Sequence, residues 1–369
     1  MKNLRYLLAF FLVAWAFSLA SYGQDCAEKL ETAEQKFSEG HIEEVTTEML
    51  RDCIGEGTDA QKARAMRLLT IKYLLLPNQE KADSLFKELL KFQPEFRIDT
   101  SQKTDPAELI YLYRAFRTRP VLSIRYHTGT TFSLVNPGLA FNIDNSLSAD
   151  ALETYGPEPG FIIGAEGTLW IFNRNLGISS GINFVNQRFE YEEELDTYGT
   201  PSQVSGTQFS TEFTESTSMI SVPVTVRFDF DYTSPYNFER RDLTPFVTVG
   251  LVNSFVLQSK FLRPERVNLV SGQITAPQDI SVTALRQAYL LSATASAGLK
   301  LKYGQSYFTF EFRYNQGLTN AVAVQNRFSN LDVIRDLGYV DDNFRVNSAW
   351  IMLGVEQNIY FPQRKRSQK

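Results

Sequence analysis

Eight charged side chains stand at alternate positions within otherwise apolar segments: Arg125, Glu166, Arg227, Asp229, Lys300, Glu311, Arg313 and Glu356. A spacing of two places each on the strand face opposite the apolar residues. Their signs are mixed and nearly balanced, so the chemistry they suggest is an internal salt-bridge and hydrogen-bond network. The sharper alternative is a narrow conduit or gate lined by the same charges. Catalysis has little to work with. The chain has two histidines, His41 and His127, far apart in sequence. No Gly-x-Ser-x-Gly, His-Glu-x-x-His or phosphate-cradling glycine loop occurs. His127 is the one residue a barrel enzyme could use, but it would need Ser, Asp or Glu beside it at the rim; an isolated interior His reads as hydrogen-bonded filler. His41 falls at a helix–helix turn and reads as solvated. Two cysteines without nearby His cannot make a zinc site, and no residue set calls for a cofactor. Cys26 and Cys53 instead suit a disulfide closing a helical hairpin, provided the chain is exported.

The N-terminus predicts that export. Lys2 and Arg5 precede an apolar run from Leu7 to Ala16, and Ser21-Tyr22-Gly23 supplies small residues for cleavage. Residues 1–23 therefore read as a secretory signal peptide. The run is short for a membrane anchor, and Gly23-Gln24-Asp25 lacks the Leu/small/small pattern that precedes a lipidated Cys. With 369 residues, two domains are expected. A formal charge of −5 is of the wrong sign for a nucleic-acid binder, and 43% hydrophobic residues are ample for a core, which excludes disorder.

Around Pro120 the apolar period changes from helical to alternating. Residues 24–94 read as two helical hairpins. In the second, Tyr73, Ala82, Phe86 and Pro94 resemble the latter half of a tetratricopeptide repeat, and Ala33, Phe37, Gly40 and Val45 match the first hairpin more weakly. A generic helical cap is the plainer reading. Residues 95–119 form a connector with one short helix. Asp105, Pro106 and Glu108 predict an Asp N-cap, Pro at the first helical position and Glu at the third. The apolar face of Leu109, Ile110, Leu112, Tyr113 and Phe116, followed by Arg114, Arg117 and Arg119, could pack on the hairpins or lie at a membrane interface.

From Pro120 to Phe361 eight alternating segments follow, near 121–132, 160–171, 176–190, 220–230, 244–257, 287–303, 307–315 and 350–361. Long polar connections at 133–159, 191–215, 258–286 and 317–345 alternate with short links at 173–175, 231–243 and 304–306. Strands of about ten residues with this loop asymmetry predict an eight-stranded antiparallel up-and-down transmembrane β-barrel. The competing form is a soluble lipocalin-like carrier with its apolar face inward. Small residues opposite the apolar face (Gly164, Ser179, Gly181, Ser292, Ser296, Gly298, Gly354) suit a crowded lumen. Phe228, Phe230, Tyr232, Tyr303, Tyr360 and Phe361 suit an interfacial girdle at the short-turn end. Eight strands put both termini on the short-turn side, so the helical module is expected to be periplasmic.

Several segments resemble the outer-membrane β-barrel domains common in Bacteroidota, the porin-family or PorT-like proteins. The marks are Val222-Pro223 inside an apolar strand, Pro245-Phe246 with Gly250, and Arg313-Tyr314 with Gly317-Leu318. The resemblance covers residues 120–361 and implies architecture and location. It implies function only as far as some such barrels belong to envelope secretion and motility machinery. The tail 362–369, with Arg364, Lys365 and Arg366, departs from a barrel that ends on an aromatic, and the fused helical module is not a standard part of the family. The expected role is a non-enzymatic barrel embedded in outer-membrane lipid, with residues 24–118 recruiting a periplasmic or outer-membrane protein partner. The alternatives are a small-solute or ligand transport barrel, and binding through the long loops, where Tyr155, Tyr191 and Tyr198 would be contacts.

Overall fold

The computed structural model describes residues 26–94, 96, 98, 105–116, 120–139, 152–172, 175–196, 208–230, 243–269 and 271–364. The signal-peptide reading and Arg117, Arg119, Tyr198, Tyr232, Lys365 and Arg366 lie outside these. Two compact units result. One holds the described residues before Val121 together with 360–364; the other is a strand ring.

The first unit is helical: α1 (26–38), α2 (Arg51–Gly55), α3 (Asp59–Leu75), α4 (Gln79–Phe92) and α5 (Ala107–Ala115). Thr58 starts α3 with a full capping box to Gln61, and the Asn78 side chain caps α4. The first hairpin is less regular than expected. A 3-10 turn at Ile42–Glu44 precedes α2, which is only five residues long. A disulfide joins Cys26 to Cys53 between α1 and α2, both cysteines being buried. Ala82 and Phe86 are fully buried on α4. Around Phe86, the rings of Phe96, Tyr113 and Phe116 stand edge-on at 6.3, 6.4 and 5.3 Å. α5 thus spends its apolar face inside this core, although Tyr111 stays exposed on the other side. Its start differs from expectation. Pro106 takes the N-cap position without a side-chain cap, and the Asp105 carboxylate is drawn to the Arg67 guanidinium instead. An ion pair with a guanidinium outweighs a cap worth about 1 kcal/mol. Past the last strand, Arg364 forms an antiparallel bridge with Phe116 and an ion pair with Asp83.

The second unit is an eight-stranded antiparallel barrel. Its strands are β1 (Pro120–Pro137), β2 (Leu152–Phe172), β3 (Leu176–Asp196), β4 (Gln208–Asp229), β5 (Leu243–Asn268), β6 (Tyr289–Tyr303), β7 (Ser306–Gly317) and β8 (Phe344–Tyr360). Each pairs with its sequence neighbour, and β8 returns beside β1 to close the ring. Apolar side chains face outward: Ile182 is 65% exposed, Val249 61% and Leu353 61%. A lipocalin-like barrel would hide them, so that alternative is overturned. No helix among the described residues is long and apolar enough to cross a membrane; the strands do so.

The outward faces mark the bilayer's edge. On β3, Leu176, Ile178, Ile182 and Phe184 give way to Arg188, Glu190 and Glu192. On β4, Phe228 through Ile220 give way to Ser218, Ser216, Thr214 and Glu212. The nine residues from Leu176 to Phe184, at roughly 3.3 Å each and tilted by about 40°, rise roughly 23 Å, which fits an apolar band of about 25 Å. Beyond that band β2–β5 continue upward, with lengths of 21, 21, 22 and 26 residues against 12 for β7. Much of what reads as long loop at 152–159, 191–196, 208–215 and 258–268 is therefore strand. Above the lipid the outer face is polar, so the apolar alternation that marks a spanning strand fades while the pairing goes on.

Two measurements check this architecture. Phe310→Arg, at the middle of the outward face of β7, should cost about 2–4 kcal/mol, and Glu192→Arg above the band about 0–1, read as unfolding in lipid vesicles. Cys53→Ala should lower the stability of the helical unit by about 3 kcal/mol; equal urea midpoints with and without the bridge would contradict that.

Candidate functional site

The inward side chains sort into layers along the barrel axis. Nearest the short-turn end, β4 contributes Arg227 and Asp229, β6 Lys300 and β8 Glu356. Arg227 Nε donates to Asp229 Oδ1 at 2.7 Å and Nη1 to Glu356 Oε2 at 2.6 Å. Lys300 donates to Asp229 and, at 3.5 Å, to Glu356. A second group lies above it. Arg125 from β1 pairs with both Glu166 of β2 and Glu311 of β7, and Arg313 of β7 grips the Glu166 carboxylate through two nitrogens at 2.9 and 3.1 Å. Arg313 also holds Glu311 at 2.9 Å. The structure therefore brings the eight lumen charges together as two groups of four. Each has two cations and two anions and is electroneutral, and all eight side chains are buried.

Phe246 lies between the groups, with Arg227 at 4.2 Å and Arg125 at 5.8 Å from its ring centre. Gly298 makes room for it: a Cβ there would fall 2.3 Å from Phe246 Cζ. Trp170, Tyr307 and Trp350 give further ring faces to Arg227, Lys300 and Arg313. Paired hydroxyls, Thr168 with Ser179, Thr248 with Ser296 and Ser221 with Ser254, complete the wall at 2.6–2.7 Å. Over the second group sits an apolar layer of Ile162, Val185, Met219, Val252, Trp350 and Met352. Above it are cavities of about 20 Å³, one lined by Gln187, Ser254 and Asn315 and another by Phe189, Glu215 and Arg286. Each has room for roughly one water.

His127 points into the second charge group, 4.0 Å from Glu166, with neither ring nitrogen hydrogen-bonded to protein. It lies at mid-lumen and not at the rim, and its nearest charges are locked in ion pairs. Among the described residues, no group of His, Cys, Asp and Glu is placed to hold a metal ion.

A third charge group escaped the sequence reading. Glu215 of β4 takes the Arg286 guanidinium at 2.6 and 2.5 Å, and Asp341 approaches the same guanidinium at 2.9 Å. Burial opposes charge on Arg286, but the Asp341 and Glu215 carboxylates keep it protonated, whereas burial pushes the Asp341 carboxyl above its ordinary range despite Arg286. Glu215 could have been found by counting in twos down β4. Arg286 and Asp341 lie in connections, where no period applies. Tyr155 and Tyr191, expected as loop contacts, are packed inside this upper layer, with ring centres 5.2 Å apart. They stand on strand extensions whose inner faces need filling.

A ring of eight strands, apolar outside and ion-paired within, defines a transmembrane barrel of the outer-membrane type. The chain belongs to the outer membrane protein beta-barrel domain family, whose model matches residues 118–323. Similar solved structures include Neisserial surface protein A (12% identity, 64% of this chain and 97% of that chain, TM-score 0.31). OprG from Pseudomonas aeruginosa is similar at 10% identity, covering 66% and 98%, with a TM-score of 0.32. The attachment invasion locus protein Ail of Yersinia pestis is similar at 12% identity, covering 65% and 98%, with a TM-score of 0.23. No match is found among curated proteins.

A double-mutant cycle tests the neutral pairing. Arg313→Met alone leaves Glu166 and Glu311 short of a cation and should cost about 3–5 kcal/mol. Adding Glu311→Leu leaves Arg125 with Glu166 and should recover most of that loss. The readout is the temperature at which the folded barrel loses its fast mobility on an unheated gel.

Proposed function

We propose that this protein is a non-enzymatic outer-membrane barrel that anchors a periplasmic protein-interaction module, residues 24–118, within an envelope assembly, secretion or motility complex. The observation that carries this reading is the filled lumen. Two neutral ion-pair groups and an apolar layer occupy the space that a solute or a substrate would need. A barrel of eight strands is just wide enough for side chains to fill it, and here they do. What remains for function lies outside the lumen. The helical unit has its own core and its own disulfide, as an element built to act in an oxidising compartment would.

Several features support the periplasmic side. The signal-peptide pattern of residues 1–23 directs the chain across the inner membrane, and the described turn at Gly304-Gln305 is short, as periplasmic turns are. The tetratricopeptide-like spacing at Ala82, Phe86 and Pro94 suits protein recognition, and two repeats are fewer than usually stand alone. A small-solute transport barrel is disfavoured by the same packed lumen.

Cross-linking in cells followed by mass spectrometry is the test. Protein partners linked to residues 24–118 should disappear when that segment is deleted, while the barrel keeps its heat-modifiable mobility. Persistence of the same cross-links after the deletion would sink the proposal.

A further inference from the structure

The connection between β7 and β8 turns inward over the barrel mouth. Its residues Val322, Val333, Leu337 and Tyr339 are buried. The Thr211 hydroxyl donates to the Leu337 carbonyl at 3.1 Å, so the connection lies against the inner face of the tall β2–β5 wall. Within it, the five residues Gly338-Tyr339-Val340-Asp341-Asp342 form neither helix nor strand. They are fixed at both ends. Gly338 has φ 67° and lies so close to Arg266 that a Cβ would come 2.5 Å from its guanidinium. Asn343 exchanges backbone hydrogen bonds with Gly138 and Leu139 at 2.6 and 3.0 Å. Between these points, Tyr339, Val340 and Asp341 make no backbone pair with the wall among the described residues.

Side chains hold the segment. The Tyr339 ring is enclosed by Tyr191, Phe213 and Phe261 at 4.8, 5.0 and 5.8 Å. Asp341 Oδ1 meets Arg286 Nη2 at 2.9 Å, and Asp342 accepts from the Tyr155 hydroxyl at 3.1 Å. Every receiving group except Arg286 belongs to a wall strand, and Arg286 is braced by Glu215 of β4. The receiving side is thus rigid and the occupant is an extended segment held as a bound peptide is held.

The fit is incomplete at one place. Arg286 Nη1 and Asp341 Oδ2 are buried without hydrogen-bond partners, so one edge of the guanidinium lacks an acceptor and one carboxylate oxygen is unused. A free carboxylate could take Nη1 and Nη2 together, the bidentate geometry in which arginine binds carboxylates most strongly. Tethered between Gly338 and Asn343, Asp341 engages only one of them.

We propose that the barrel mouth is a binding seat for an acidic peptide with an aromatic ring two residues before a carboxylate, and that Tyr339 and Asp341 fill it as an internal stand-in. The aromatic cage selects the ring, Arg286 selects the carboxylate, and the backbone spacing between them sets the register. An incoming peptide displaces residues 338–342 and leaves the charge groups and apolar layer below untouched. The seat opens without opening the barrel.

The probe is acetyl-Gly-Tyr-Val-Asp-Asp-amide, titrated calorimetrically into the full chain in detergent. The double variant Tyr339→Ala, Asp341→Ala, with the seat vacated, should bind it at least 10-fold more tightly than the unaltered protein. A peptide of the same composition with Tyr and Asp exchanged should not bind. A folded double variant with no saturable binding, or equal binding by both proteins, would overturn the proposal. Footprinting of the unaltered protein decides the matter should the double variant fail to fold. Saturating probe peptide should raise hydroxyl-radical labelling of Tyr339 at least 3-fold; unchanged labelling would show a fixed core element and no releasable stand-in.

Discussion

A charge inside a membrane barrel has nowhere to go but to another charge. Lipid on the outer face penalises it, and a lumen eight strands wide has little water to solvate it. Arg125, Glu166, Glu311 and Arg313 satisfy that constraint as one neutral group, and Arg227, Asp229, Lys300 and Glu356 as another. Each group also joins strands distant in sequence, so neither is complete until those strands come together in the ring. Removing one partner strands the rest, which makes these pairs a requirement for this particular strand register whatever they contribute to net stability.

The same constraint shapes what lies above and below. Phe246, Trp170 and Trp350 fill the spaces around the guanidinium groups with ring faces, and the apolar layer seals the upper side. Above the lipid the strands β2–β5 continue as a wall, and there the interior switches to tyrosine and phenylalanine around Arg286. The two proposals concern separate parts of the chain: the disulfide-bridged helical unit and the aromatic mouth of the barrel.

Much of this is legible in the sequence because period two is a strict rule inside a bilayer. The strict alternation of Tyr307 to Asn315 gives most of β7, its facing and its two lumen charges directly. Where the solvent changes, the rule weakens. Residues 208–215 and 258–268 read as loop because their outer faces turn polar, yet Phe213 and Glu215 keep the inward parity of β4, while Phe261 reaches the interior through a bulge near Leu257 that shifts β5 by one residue. Arg286 and Asp341 are invisible to any period, since a connection brings them together by tertiary folding. Asp105 shows the same limit in the helical unit: its local sequence reads as a cap, and a long-range arginine claims it. Local signals hold until a stronger distant partner competes for the same group.

The central claim is that the lumen is filled and the barrel acts as an anchor. Planar-bilayer recording of the purified full-length chain tests it most directly. Bilayers containing the folded protein should show no stepwise ionic current above the bare-membrane baseline. Reproducible single-channel steps that scale with salt concentration would show a continuous aqueous path through the charge groups and contradict the account.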